Sequence, residues 1–215
     1  MSSDQKPKHS KPCHRSKKRK PTMGRDAWNE RYDRPNFIWT KKVDELLADE
    51  VKDLAPGKAL DLGSGEGRNA VWIADHGWNV LGVDISDVAI KKAKSLAESS
   101  NVSDSTAFQV EDLNSYTPQE SSYDLVLLMF IHVSMKEMEG ILKKAVKALK
   151  PGGTFLLVGH DATNIEHGVG GPQDPHMLYN SDDILSVIGK EIEVEKAGTF
   201  MRETAIDCLV KAKRL

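Results

Sequence analysis

The sequence has almost no cysteine: Cys13 and Cys208 are the two thiols in 215 residues, far apart and without C-x-x-C spacing. That argues against a disulfide framework or a structural zinc site and for a reducing compartment, cytoplasmic or nuclear. No apolar run approaches the roughly 18 residues of a membrane-spanning helix, so no membrane partner is expected. Residues 1–24 contain no apolar core of the kind a secretory signal needs. Aromatic residues make up 6% of the chain, yet two of the four tryptophans, Trp28 and Trp39, fall in one short segment.

Net charge is also nearly absent, at −2, but it is unevenly spread. Lys6, Lys8, Lys11, Arg15, Lys17, Lys18, Arg19 and Lys20 against Asp4 alone give residues 1–24 a charge of +7, which leaves −9 on the remainder. An acidic body is a poor electrostatic partner for nucleic acid, so any such binding falls to the tail. Residues 1–24 mix Lys, Ser, Pro and His and are expected to be disordered. Lys17-Lys-Arg-Lys-Pro21 reads either as a nuclear-localisation signal or as a solubilising tail. With 39% hydrophobic residues, positions 25–215 suffice for one buried α/β domain.

The organising stretch is Asp61-Leu-Gly63-Ser64-Gly65-Glu-Gly67. Lys58–Leu62 ahead of it reads as a buried strand and Asn69–His76 behind it as a helix. A strand, a glycine turn and a helix in that order surround a concavity at the sheet's carboxyl edge with backbone N–H groups. The dinucleotide fingerprint G-x-G-x-x-G is broken, because its third glycine position holds Arg68. A second strand, Asn79–Ile85, brings Asp84 to the same edge, where a carboxylate can accept from both hydroxyls of a ribose. Asp112, ending a third alternating strand from Thr106, is in register with Asp84 and offers a second acceptor at the same edge, although an acid at a strand's end is also common.

Tyr123–Phe130 is nearly all apolar, as a central parallel strand should be. A helix over Met135–Leu149, a stop at Lys150-Pro-Gly-Gly153 and a fifth strand over Thr154–His160 follow. Strands alternating with helices predict a doubly wound, Rossmann-like parallel sheet. The last two strands, Glu191–Ala197 and Thr204–Lys211, are too close for a crossover helix and must pair antiparallel. Upstream, Arg25–Thr40 concentrates Trp28, Arg31, Tyr32 and Trp39. It reads as an amphipathic helix or as a lid whose aromatic faces attract a cation and whose arginine clamps a carboxylate. Lys41–Leu54 reads as a helix.

These features resemble the class I S-adenosylmethionine-dependent methyltransferases, with Asp61–Gly67 as first motif and Asp84-Ile85 as second. Trp28-Asn-Glu-Arg-Tyr32, Gly63–Asn69 and Lys150–Gly153 are similar to the small-molecule branch that includes tellurite-resistance-type and thiol methyltransferases. That branch often has cysteine where Ser64 stands. The resemblance implies a seven-stranded sheet with an antiparallel C-terminal strand, and S-adenosyl-L-methionine as cofactor. It implies that Gly63, Gly65 and Asn69 hold the methionine moiety, Asp84 the ribose, and Asp112 with Leu113 the adenine. Leu128, Met129 and Phe130 would lie against the cofactor.

The loop from Gly159 to His176 is long for a compact domain and carries three of the seven histidines, so it reads as an acceptor site or as a polar surface loop. His160, His167 and His176 have no recognised metal-ligand spacing. His160 is the first candidate for a general base, with His132 and Asp161 beside it. A small-molecule methyl acceptor is the leading expectation. A protein or RNA substrate recruited by the tail and a non-catalytic cofactor-binding subunit are the alternatives. The absence of Asn/Asp-Pro-Pro-Tyr/Phe at Met129–His132 argues against methylation of exocyclic base amines.

Overall fold

The computed structural model describes residues 23–215. The expectations for the basic tail, disorder and a localisation signal, lie outside the described residues. Helices α1 (Arg25–Tyr32) and α2 (Glu45–Val51) precede the alternating core. The core runs β1 (Lys58–Leu62), α3 (Arg68–Asp75), β2 (Asn79–Asp84), α4 (Asp87–Ser99), β3 (Thr106–Val110), β4 (Tyr123–Met129), α5 (Met135–Ala148) and β5 (Leu149–His160). Short helix α6 (Asn164–His167), α7 (Ser181–Ile188) and the hairpin β6 (Ile192–Arg202) and β7 (Ala205–Arg214) complete it. The seven strands lie in the order β3-β2-β1-β4-β5-β7-β6. β1 to β5 pair parallel, and β7 pairs antiparallel to both β5 and β6. The expected fold class is the observed one.

The apolar run of β4 serves two cores because successive side chains point to opposite faces. Leu125, Leu127 and Met129 join α2, α3 and α4 on one side. Val126 and Leu128 join α5, α7 and Tyr179 on the other. Helix starts carry the expected chemistry. Ser86 accepts from Ala89 N at α4, and Ser134 forms a reciprocal pair with Glu137 at α5.

Three boundaries differ from the sequence reading. α2 is shorter than 41–54, because Asp44 caps it by accepting from Leu46 N. Lys150–Gly153 lies inside β5 rather than ahead of it: Tyr123 pairs with Leu149 and Leu125 with Thr154, so the intervening residues bulge out, with Gly152 at φ 77°. The final strands extend to a two-residue turn, Glu203-Thr204, with Glu203 in the left-handed region at φ 53°. Among the described residues no helix is long and apolar enough to cross a membrane.

Candidate active site

A cavity of about 760 Å³ opens at the carboxyl edge of the sheet, within the range of small-molecule sites. Its floor is the turn between β1 and α3. Gly63 and Gly65 take φ of 77° and 53°, conformations that suit glycine. A Cβ on Gly63 would lie 2.1 Å from Ile131 Cδ1, and one on Gly65 3.0 Å from Tyr32 Oη. Bare backbone therefore borders the cavity, but the turn's own N–H groups are already used: those of Gly63 and Ser64 donate to Val83 O, that of Gly65 to Asp84 and that of Gly67 to Ser64 O, which corrects the expectation that they surround a ligand. Asp84 is buried at the tip of β2, where it accepts from Gly65 N and Ser86 N at 2.9 Å each. Burial pushes its carboxyl above the usual range, opposed by those two N–H groups. Asp112 accepts from Asn114 N and lines the wall with Leu113.

The N-terminal segment closes one side. α1 is fastened to the β2–α4 turn by Arg25 Nε donating to Ile85 O (3.1 Å), by Asn29 donating to Asp87 and by Ser86 donating to Asn29. Trp28 and Tyr32 stack at 5.6 Å, and Arg31 lies 5.4 Å from the Trp28 ring and 5.1 Å from that of Trp39. Glu66, in the glycine turn, holds the connection to α2: buried, it accepts from Ile38 N (2.9 Å), Trp39 N (3.4 Å) and Lys92 Nζ (2.9 Å). Lys92 also donates to Asn36 O. Asn69 Oδ1 accepts from Asp44 N at 3.4 Å, so part of its hydrogen-bonding capacity goes to α2.

The opposite wall comes from the ends of β4, β5 and the final hairpin. Phe130 sits in the left-handed region at φ 57°, unusual for an aromatic residue, and this bend turns Ile131 and His132 into the cavity. His160 Nδ1 lies 3.0 Å from Asp207 Oδ1, somewhat off the line of a hydrogen bond, and neither atom has another partner. Arg202 Nε donates to the other oxygen of Asp207 at 2.7 Å. Asp207 is fully buried; burial pushes its carboxyl up, but His160 and Arg202 outweigh that and hold it below the usual range. The His132 ring stacks on that of His160, with centroids 5.4 Å apart and planes 8° apart. Burial and the neighbouring His160 push His132 down to about 4, so it is neutral at pH 7. Beneath them the hydroxyl of buried Tyr179 donates to Ile131 O at 3.1 Å.

The loop after β5 is not structureless. Asn164, 1% exposed, donates to Gly170 O and accepts from Ile206 N, which folds the loop back over the hairpin. A Cβ on Gly171 would lie 2.5 Å from the His160 ring, so bare backbone covers the imidazole.

Of the sixteen expected cofactor contacts, fourteen line this cavity: Trp28, Arg31, Tyr32, Trp39, Gly63, Ser64, Gly65, Asn69, Asp84, Ile85, Asp112, Leu113, Met129 and Phe130. Two do not. Leu128 is fully buried against α5 because it points to the opposite face from Met129. Asp61 is 1% exposed behind the glycine turn; burial and the charge of Asp84 raise its carboxyl to about 7. Of the catalytic candidates His160 and His132 line the cavity, whereas Asp161 does not: its carboxylate accepts from Thr163 N and Oγ1 and shapes the loop. His167 and His176 are exposed, away from the cavity, and no cluster of His, Cys, Asp or Glu suited to a metal occurs among the described residues.

Sequence reasoning missed Glu66, Arg68, Arg202 and Asp207. Asp207 had a signal, a lone carboxylate in the apolar run Ala205–Val210. A strand buries such a group only with partners.

These residues fit the cofactor that the motifs imply. The glycine turn leaves room that a Cβ would fill, Asp84 and Asp112 offer acceptors along one edge, and the Trp28, Tyr32 and Trp39 rings border the middle. Known proteins agree. A methyltransferase domain family matches residues 59–153. The chain is 31% identical over 134 residues to a tRNA 5-carboxymethoxyuridine methyltransferase of Escherichia coli, covering 60% of this chain and 49% of that protein. It is 29% identical over 120 residues to a probable S-adenosyl-L-methionine-dependent methyltransferase TehB of Haemophilus influenzae, covering 55% and 41%. The chain thus spans about half the length of these curated relatives. Its fold matches that of a magnesium protoporphyrin IX methyltransferase from Synechocystis with bound SAH, with a TM-score of 0.68, 19% identity and coverage of 89% of this chain and 97% of that one. Residues 59–153 thus match a methyltransferase domain, and from glycine turn to antiparallel last strand the chain has the motifs and the fold of the class I S-adenosylmethionine-dependent methyltransferases.

Proposed function

We propose that the chain transfers a methyl group from S-adenosylmethionine to a hydroxyl or thiol of a small-molecule acceptor, with His160 as general base. The observation that carries this reading is the His160–Asp207 pair on the cavity wall facing the glycine turn. When bound, the cofactor supplies an electrophilic methyl group and retains the electron pair of the broken carbon–sulfur bond. The protein's part is to hold the acceptor in line and to receive its proton. With Nδ1 facing an ionised carboxylate, the imidazole keeps its proton there and presents the lone pair of Nε2, which has no hydrogen bond among the described residues. Neutral His132 packs against its face and adds no charge beside it. The covering loop and the Phe130 ring limit water around the imidazole.

Two measurements test this. Calorimetry should find S-adenosylmethionine binding, and a labelled-methyl screen of thiols, phenols and amines should find an acceptor. His160→Ala should lower turnover about 10²- to 10⁴-fold while S-adenosylhomocysteine affinity changes little. Loss of cofactor binding in that variant would remove His160 from the role of base, and no binding of either nucleoside at millimolar concentration would sink the whole reading.

The relative named for a tRNA uridine derivative favours a second reading, an RNA acceptor recruited through the basic tail. Salt-sensitive RNA binding that disappears on deleting residues 1–22 would support it over a free small molecule.

A further inference from the structure

Among the described residues, the half-buried cations have acceptors, and Arg68 stands out. Lys92 donates to Glu66 and Asn36 O, Lys144 to three carbonyls, and Lys211 to both the carbonyl and carboxylate of Glu50. Arg68, whose side chain is 22% exposed, donates no hydrogen bond among the described residues. Its nearest anion is Asp44 Oδ2, 4.0 Å from Nη2, beyond hydrogen-bonding distance, and the other oxygen of Asp44 accepts from Leu46 N. A guanidinium carries five N–H donors in a fixed fork, and those of Arg68, half-buried and without a protein acceptor among the described residues, are free for a group that enters the cavity. Arg68 lines the cavity, so its donors are aimed at whatever occupies it.

Arg202 is the second cation on that side. Nε is committed to Asp207, its remaining nitrogens make no hydrogen bond among the described residues, and the guanidinium lies 5.3 Å from the Phe130 ring. Arg202 is close enough to Arg68 to disfavour the charge on it, in addition to the larger effect of burial. Asp44 and Asp207 offset the two positive charges, and buried Asp61 lies near Arg68 as well. Net charge therefore does not decide the matter; unfilled donors do. Because Arg202 and His160 share the Asp207 carboxylate, a group held by the arginine pair would stand beside the base.

We infer that the acceptor carries an anionic group, a carboxylate or a group of like chemistry, and that Arg68 with Arg202 receives it. This rests on the methyl-transfer reading of the same cavity. The cofactor's own carboxylate is the competing anion. Arg31, held between Trp28 and Trp39, is placed for that one, whereas Arg202 shares Asp207 with His160 and Arg68 lies near Arg202.

The test uses the full chain with thiophenol and 4-mercaptobenzoate, two thiols that differ by a carboxylate, and follows both methyl transfer and binding to the protein loaded with S-adenosylhomocysteine. The wild-type protein should prefer the anionic probe by roughly tenfold or more in kcat/KM, as one charge-assisted contact provides. Arg68→Gln should erase most of that preference through KM, and Arg68→Lys, which keeps the charge without the fork, should retain part of it. Equal use of the two probes by the wild type would overturn the inference. So would an Arg68→Gln variant that melts normally, loses S-adenosylhomocysteine affinity at least tenfold and keeps the preference, since Arg68 would then serve the cofactor. Failure to bind S-adenosylhomocysteine would instead strike the methyl-transfer reading, and titrating the unloaded protein with benzoate would still reveal whether the arginine pair holds an anion.

Discussion

Replacing Asp207 by Asn keeps its shape and removes its charge, and the structure says what should follow. Asp207 is fully buried and is shared by His160 Nδ1 at 3.0 Å and Arg202 Nε at 2.7 Å. A well-aligned hydrogen bond to a charged group contributes about 1.5–3 kcal/mol; the His160 contact is somewhat off line but faces a full charge, so losing it costs about 2 kcal/mol, or roughly 30-fold in rate. An Asn side chain can also turn its NH₂ toward Nδ1, which forces the proton onto Nε2 and removes the base; a tautomer error of this kind has cost about 10⁴-fold in a serine protease. Turnover of Asp207→Asn should therefore fall between about 30-fold and 10⁴-fold. Because Asp207 sits behind the histidine rather than on the cofactor side, S-adenosylhomocysteine affinity should stay close to wild type. Single-turnover methyl transfer with saturating cofactor measures the chemical step, and calorimetry measures binding. A folded Asp207→Asn protein with wild-type turnover would refute the idea that a positioned His160 takes the proton.

Two other perturbations read the cofactor side. Asp61 has a folded pKa of about 7, above its value in the unfolded chain, so the fold favours its protonated form. The stability it contributes is complete below about pH 4 and is lost as pH rises to about 7, of order 4 kcal/mol in all. Asp61→Asn should thus gain stability relative to wild type as pH rises from 4 to 8; a difference in denaturant midpoint independent of pH would contradict the raised pKa. Glu66→Ala removes the acceptor shared by Ile38 N, Trp39 N and Lys92 Nζ. It should loosen residues 33–41 to proteolysis and weaken S-adenosylhomocysteine binding about tenfold or more, whereas unchanged cleavage would show that the lid is held by something else.

What was legible in the sequence was local. Asp61–Gly67 followed an apolar strand and preceded a helix, and that order alone placed Gly63 and Gly65 in the site. Asp84 was readable for the same reason, as the last residue of the next strand. Leu128 was misplaced because an apolar run on a strand buried on both faces has no alternation to show which side chain meets the ligand. Asp161 was misplaced because a carboxylate next to a candidate base looks like a partner, while two residues on it finds Thr163 N and closes a turn. Glu66 stood among the glycines, but its partners Ile38, Trp39 and Lys92 are 26–28 residues away in either direction, and no periodicity announces such a contact.

The acceptor side was harder to read because it depends on strand direction. Parallel strands β4 and β5 end at the ligand edge: His160 is the last residue of β5, and His132 follows the end of β4 by three residues. β6 runs the same way and ends there with Arg202. β7 runs the opposite way, so it begins at that edge, and Asp207 falls opposite His160 in the antiparallel register. One two-residue turn thus sets a cation and an anion of the same site five positions apart. In an all-parallel sheet the residue beside His160 would be the end of another strand, and the carboxylate that orients the imidazole would have to come from a loop. The antiparallel last strand is therefore more than a family signature: in this chain it supplies the carboxylate that faces Nδ1 of His160 and leaves Nε2 without a protein partner among the described residues.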